Sequence, residues 1–260
     1  MTSFQGKVAL ITGATSGIGQ ATARRLASAG CLLAMTGKDQ DELMELARQC
    51  QRLGASEQQI LLLAGDLTED KNIEEVVART VEKFCKLDIL VHNLSWGGIL
   101  GDKNKAPSEL YDEAMRLNVR SLFYLTKLSA PHLIATKGCI VINYNVPSFT
   151  SSTDKIVYSM AKLALDQFMR SISVDLAPKG VRVNSVNPGA IVDLGTFMNG
   201  HGPSKVKQSG KGEHPLGKHS KDKEAAAAIG FLASHDAAMI TGELLTIDSG
   251  RHIRPGAPKD

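Results

Sequence analysis

Two residues four positions apart, Tyr158 and Lys162, could do acid–base chemistry if one helix carried them both. At that spacing a phenol and an ammonium project from the same helix face. Around them Ile156, Met160, Leu163, Ala164, Phe168 and Ile172 recur with helical periodicity, which predicts a helix over 155–177. A phenol with its ordinary pKa near ~10 is a poor proton donor or acceptor at neutral pH. A cation fixed beside it favours the phenolate and brings proton transfer into an efficient range. Such a pair also arises by chance on exposed helix faces, so its meaning depends on what precedes it.

What precedes it is Thr12-Gly13-Ala14-Thr15-Ser16-Gly17-Ile18-Gly19, directly after the apolar run Lys7-Val-Ala-Leu-Ile11. The run reads as a buried parallel strand. Gly13 permits a tight turn, Gly17 lets backbone approach a pyrophosphate, and Gly19 lets the next helix pack on the strand. That helix, ending near Gly30, turns its free N–H groups and positive dipole end to the phosphates. Gly13, Thr15, Ser16, Gly17, Ile18 and Gly19 are therefore assigned to a bound dinucleotide. A second strand, Cys31 to Met35, ends at Thr36-Gly37-Lys38-Asp39. An acid at this strand end would hold the adenosine ribose diol of NAD. Here the place falls on Gly37 with Lys38 beside it, which suits the 2′-phosphate of NADP better. Asp39 reads as the cap of the following helix; a shift of register by two would make it the ribose acid.

The supporting elements follow in alternation. A helix near 39–54 leads to strand Ile60–Ala64 and to Asp66-Leu67, where Asp66 reads equally as an adenine contact or a turn residue. Helix 70–86 precedes strand Leu87–His92, with Asn93 at its carboxyl end, and one long helix over 107–134 carries Asn118 in its middle. Asn is disfavoured inside helices because its amide competes for backbone groups. Strand Gly138–Asn143 comes before Tyr158, and strand Val181–Val186 before Asn187-Pro188-Gly189 and Ile191; a helix (225–233) and a strand (242–247) close the domain. Strands alternating with helices over short connections specify an α/β doubly wound parallel sheet, with ligands at the strand carboxyl ends. Trp96 lies in a loop at that edge and either lines a pocket or packs the loop. The stretch 193–221, rich in Gly, Lys, His and Ser, reads as a flexible lid over the substrate, and 251–260 as a tail.

Composition narrows the classes. With 260 residues, 43% hydrophobic, the chain can bury one α/β core. A net charge of +3 is too small to argue for nucleic acid or a membrane surface, and neither is expected as a partner. No apolar run reaches the ~20 residues of a membrane span. The first residues run straight into a strand, with no signal sequence, so a cytoplasmic location is expected, with peroxisome and mitochondrion left open. Cys31, Cys50, Cys85 and Cys139 show no paired spacing; reduced, buried thiols are expected, and no metal site.

Taken together, Thr12-Gly-x-x-x-Gly-x-Gly19, Asp66-Leu67, Asn118, Tyr158-x-x-x-Lys162 and Asn187-Pro-Gly189 resemble the short-chain dehydrogenase/reductase family over about 5–250. The likeness is greatest to its carbonyl reductase and 3-oxoacyl-acyl-carrier-protein reductase members. It implies a single Rossmann domain over 1–250 with strand order 3-2-1-4-5-6-7, and a homodimer or homotetramer built on the long helices. It also implies hydride transfer between NADP, or less readily NAD, and a small carbonyl or secondary alcohol. In that scheme Tyr158 is the proton donor and Lys162 binds the nicotinamide ribose, while Asn118 keeps a water that links Lys162 to solvent. Lys38, Asp66, Leu67, Asn93, Pro188, Gly189 and Ile191 would complete the cofactor contacts. Three departures cluster at the nicotinamide end. The family's substrate-orienting Ser, thirteen residues before Tyr158, is Asn145, with Tyr144 in place of a second Ser; the usual Asn-Asn-Ala-Gly reads His92-Asn93-Leu94-Ser95; and Asp193 replaces a Thr. An amide can donate a hydrogen bond but cannot relay a proton as a hydroxyl does. The alternative function is a nucleotide-binding or partner protein with little catalysis.

Overall fold

The computed structural model describes residues 3–93, 107–144, 156–189 and 214–253. Short, β-branched and leucine-rich segments form a seven-stranded parallel sheet, in the order β3-β2-β1-β4-β5-β6-β7. Its strands are β1 (Val8–Ile11), β2 (Leu32–Gly37), β3 (Ile60–Ala64), β4 (Ile89–His92), β5 (Cys139–Asn143), β6 (Arg182–Pro188) and β7 (Leu244–Ile247). Parallel strands joined by helical crossovers are covered on both faces, which is why β1, β4 and β5 are buried along their whole length.

Side-chain alternation divides the core into two layers. Ala9, Ile11, Ile89, Val91, Cys139 and Val141 pack under α1 (Gly17–Ser28), α2 (Gln40–Arg52) and α7 (Asp222–Ala233). Val8, Leu10, Leu90, Ile140 and Ile142 pack under α3 (Asp70–Phe84), α5 (Ser121–Thr136) and α6 (Ile156–Leu176).

The helix expected as one piece over 107–134 is interrupted. α4 (Pro107–Met115) passes through a π-helical turn at Arg116–Arg120 before α5 begins. Asn118 lies at the centre of that turn and its amide donates to the Ala114 carbonyl at 2.9 Å. The side chain thus takes over a carbonyl of the helix ladder, and the backbone widens by a residue to accommodate it.

The helix around Tyr158 forms as expected, but the apolar stripe that predicted it faces outward at several positions. Ile156, Met160 and Leu163 are exposed, whereas Tyr158, Ala161, Lys162, Leu165 and Met169 are turned to the sheet. Of the four thiols, Cys31, Cys50 and Cys139 are buried as expected; Cys85, at the left-handed cap of α3, is exposed. All four are free. Among the described residues no helix is long and apolar enough to cross a membrane, and no cluster could hold a metal.

Candidate active site

The glycine turn connects β1 to α1 at the carboxyl edge of the sheet. Gly13 has φ of 54°, in the left-handed region where a side chain is strained. A Cβ on Gly19 would lie 2.2 Å from the Gly13 carbonyl oxygen, so helix and turn pack at a distance that only glycine allows. Gly17 has a further reason to lack a side chain. A Cβ there would lie 2.3 Å from the carboxylate of Asp222, the first residue of α7, a contact no spacing in the sequence shows. Ser16 caps α1 by accepting the N–H of Gly19 at 3.2 Å. Among the described residues the N–H groups of Gly17 and Ile18 have no acceptor, leaving two donors at the positive end of the helix, which fits the diphosphate of a dinucleotide.

Asn93, at the end of β4, braces this turn from below. Its side-chain amide donates to the Gly13 carbonyl at 2.9 Å and to Ser16 Oγ at 2.8 Å, while its backbone N–H donates to Thr12 Oγ1 at 3.0 Å. Its carbonyl oxygen accepts from Asn143 of β5. Thr15 packs along Gly37, where an added Cβ would come within 3.0 Å of the threonine methyl. Asp39 caps α2, accepting the N–H groups of Asp41 at 2.8 Å and Glu42 at 3.0 Å. Lys38 reaches across to Asp66, with 2.6 Å between the ammonium and one carboxylate oxygen. The other oxygen of Asp66 accepts the Thr68 N–H at 2.9 Å, and Leu67 is buried beside it. Pro188 ends β6, and the Gly189 N–H donates to the Ile247 carbonyl at 2.9 Å. A Cβ on Gly189 would strike the Cβ of Asp248 at 2.6 Å.

The Tyr158–Lys162 pair sits on the other side of β4, on α6. Both side chains are buried, and the Lys162 ammonium lies 5.0 Å from the centroid of the Tyr158 ring. Lys162 donates to Asn118 Oδ1 at 3.0 Å, so α6 and the π-turn meet directly through that bond. Burial disfavours the charged amine and pushes the Lys162 pKa down to about 7. Two further groups belong to this region although the sequence assigned them no role. Tyr144, just past β5, is buried and donates to Asp166 Oδ1 at 2.6 Å, one turn beyond Lys162 on α6. Burial and the Asp166 carboxylate push its phenol further up, so it remains a donor. His92, the last residue of β4, is enclosed on the face that carries Asn118 and Lys162; the alternation with Leu90 is the sequence signal that places it there. Asn145, Ile191, Ser95, Trp96 and Asp193 lie outside the described residues, as does the expected lid up to 213.

A parallel sheet with this strand order, a glycine turn after β1 and a buried Tyr–Lys pair on the helix after β5 define a Rossmann-type oxidoreductase. Comparison with known proteins gives the family. A family model described as enoyl-(acyl carrier protein) reductase matches residues 13–252. An uncharacterised oxidoreductase of Bacillus subtilis is 35% identical over 254 residues, covering 96% of this chain and 85% of that protein. A 3-oxoacyl-acyl-carrier-protein reductase of Thermotoga maritima is 30% identical over 250 residues, covering 95% and 98%. Among solved structures, a short-chain dehydrogenase/reductase of Caenorhabditis elegans with cofactor superposes with a TM-score of 0.89 at 30% identity, covering 97% of each chain. A 7α-hydroxysteroid dehydrogenase complexed with NADH and 7-oxo glycochenodeoxycholic acid gives 0.87 at 28% identity, covering 95% of each. The chain belongs to the short-chain dehydrogenase/reductase family, whose members bind nicotinamide cofactors.

Proposed function

We propose that the chain is an NADP(H)-dependent oxidoreductase acting between a small carbonyl compound and its secondary alcohol. The observation that carries this reading is the Tyr158–Lys162–Asn118 arrangement: a phenol beside a buried ammonium that is itself held by an amide. The nicotinamide, when bound, supplies or accepts the hydride. Everything else falls to the protein. In the reducing direction Tyr158 donates its proton to the carbonyl oxygen as negative charge develops there. Lys162 stabilises the resulting phenolate, and with a pKa near 7 it can pass on a proton at neutral pH. Asn118 Oδ1 fixes the ammonium in place.

Support for NADP over NAD comes from the end of β2. Asp39 is engaged in capping α2, Gly37 offers no side chain, and Lys38 supplies a cation at that corner, paired with Asp66. A 2′-phosphate there would compete with Asp66 for the Lys38 ammonium. Assembly as a homodimer or homotetramer is supported by exposed apolar side chains on the two long helices, Phe123, Met160 and Leu163, with Phe123 and Phe168 stacked edge to face at 6.0 Å. The compartment proposed is the cytoplasm.

The test is NADPH oxidation with a panel of ketones and quinones. Tyr158→Phe is expected to abolish turnover while nucleotide binding persists; unaffected turnover refutes the mechanism. A second reading, a nucleotide-binding homologue with weak catalysis, is favoured by Asn145 at the position of the family's serine. Asn145→Ser separates the two: a rate gain near ~10²-fold, the size of one oxyanion donor, supports the second.

A further inference from the structure

Gly17 opens α1, Asp222 opens α7, and the two positions touch. A Cβ on Gly17 would lie 2.3 Å from one carboxylate oxygen of Asp222 and 2.9 Å from the other, so the carboxylate rests against the Gly17 backbone. Eight positions further along each helix the contact is repeated: a Cβ on Gly230 would lie 2.7 Å from Arg25 Nε. Equal steps between the contacts mean that α1 and α7 run parallel and begin level with each other. Ile18, Ala23 and Leu26 of α1 share a buried cluster with Ala225, Ile229 and Leu232 of α7, which holds the pair together. Both helices are crossovers of a parallel sheet, so both starts lie at its ligand edge.

Each start carries a positive dipole end and N–H groups without intrahelical acceptors. At α1 those of Gly17 and Ile18 are the donors that fit a diphosphate. A carboxylate is favoured in that field for the same reason that a phosphate is. Asp222 is half-buried there with one oxygen enclosed, while its neighbours Lys221 and Lys223 are exposed. A phosphate held by the Gly17 N–H would be well inside the ~8 Å over which salt screens it from that carboxylate. An asparagine of the same shape would fill the seam without a charge.

We propose that Asp222 determines how tightly the chain holds its dinucleotide: the carboxylate occupies the shared positive field of the two helix starts and opposes the charge of the diphosphate. It thereby stabilises the free protein and favours release of the nucleotide. The proposal rests on the reading of the glycine turn as a dinucleotide site.

The experiment titrates NADPH and NADH by fluorescence at low salt against the wild-type chain, Asp222→Asn and Asp222→Ser, and melts each protein without nucleotide. Both substitutions remove the charge and keep a polar residue suited to a helix start. Each should tighten both nucleotides by the same factor, about five- to tenfold, because both carry the diphosphate. The nucleotide-free variants should melt about 2–4 °C lower, having lost the carboxylate from the helix starts. A folded variant that binds both nucleotides no more tightly than the wild type overturns the proposal. So does tightening confined to NADPH, which would place the effect at the 2′-phosphate. If neither the wild type nor a folded variant binds either nucleotide, the dinucleotide reading and this inference fall together. Unmoved affinities beside a wild type that binds sink the inference alone.

Discussion

Acidification should destabilise this protein well above the pH at which its carboxylates protonate, and one residue should account for the effect. The His92 pKa is 6.5 in the unfolded chain and about 3 in the fold, where burial and Lys162 oppose its charging. Below 6.5 the unfolded chain binds a proton that the folded one refuses, so stability falls with pH through the window from 6.5 to 3. Each unit is worth about 1.4 kcal/mol. Between pH 6.5 and 5 the loss is therefore about 2 kcal/mol, and across the whole window at most about 5 kcal/mol. Urea denaturation at pH 7, 6, 5.5 and 5 measures it, comparing the wild type with His92→Gln, which is polar, of similar length and does not titrate. The quantity compared is the slope, because the substitution also shifts the baseline. Asp66 and Asp248 have carboxyls held below their usual range, so their stabilising effect is lost at lower pH. Lys162 adds slope only between 7 and 10.5, where stability rises with pH as the unfolded chain alone remains protonated. Equal slopes for the two proteins between pH 6.5 and 5 would refute the reasoning.

Lys38→Ala should weaken NADPH binding about five- to tenfold at low salt and leave NADH nearly unchanged, because Lys38 is a largely exposed cation whose effect is screened. Paired titrations at low and high ionic strength test this, and equal losses for both nucleotides would count against a phosphate contact. Gly19→Ala should cost about 2 kcal/mol or more and abolish nucleotide binding, since the new methyl meets a backbone carbonyl at 2.2 Å that cannot move aside. Thermal denaturation and a dinucleotide titration measure the two effects. Tyr144→Phe should cost about 1 kcal/mol by removing the bond to Asp166, whose carboxylate keeps Arg170 as a partner. Urea denaturation measures it, and a Tyr144→Phe variant as stable as the wild type would show that the bond contributes nothing.

Chain-local physics carried most of the fold. Apolar runs at Val8–Ile11 and Cys139–Asn143, the glycines at 13, 17 and 19, and the helical spacing around Tyr158 depend on near neighbours, and each element formed where those neighbours placed it. Their alternation also determined the parallel sheet, because strands joined through helices have few ways to pair. The capping role of Asp39 was legible for the same reason: the cap and the N–H groups it accepts are three residues apart or fewer.

What near neighbours in the sequence could not determine is the set of side-chain bonds that join positions distant in the chain. Asn118 accepts from Lys162 across 44 positions, Tyr144 is tied to Asp166 across 22, and Asn93 braces Gly13 across 80. At the π-turn one amide joins both scales, donating to a carbonyl four residues back and accepting from the lysine on α6. Likewise the apolar stripe of Ile156, Met160 and Leu163 could identify a helix but not its buried face, since periodicity is the same from either side. A charge's behaviour depends on the medium around it, and burial is a property of the assembled layers. Only the sheet and the helices packed on it turned Lys162 into an amine of pKa near 7 and kept His92 uncharged.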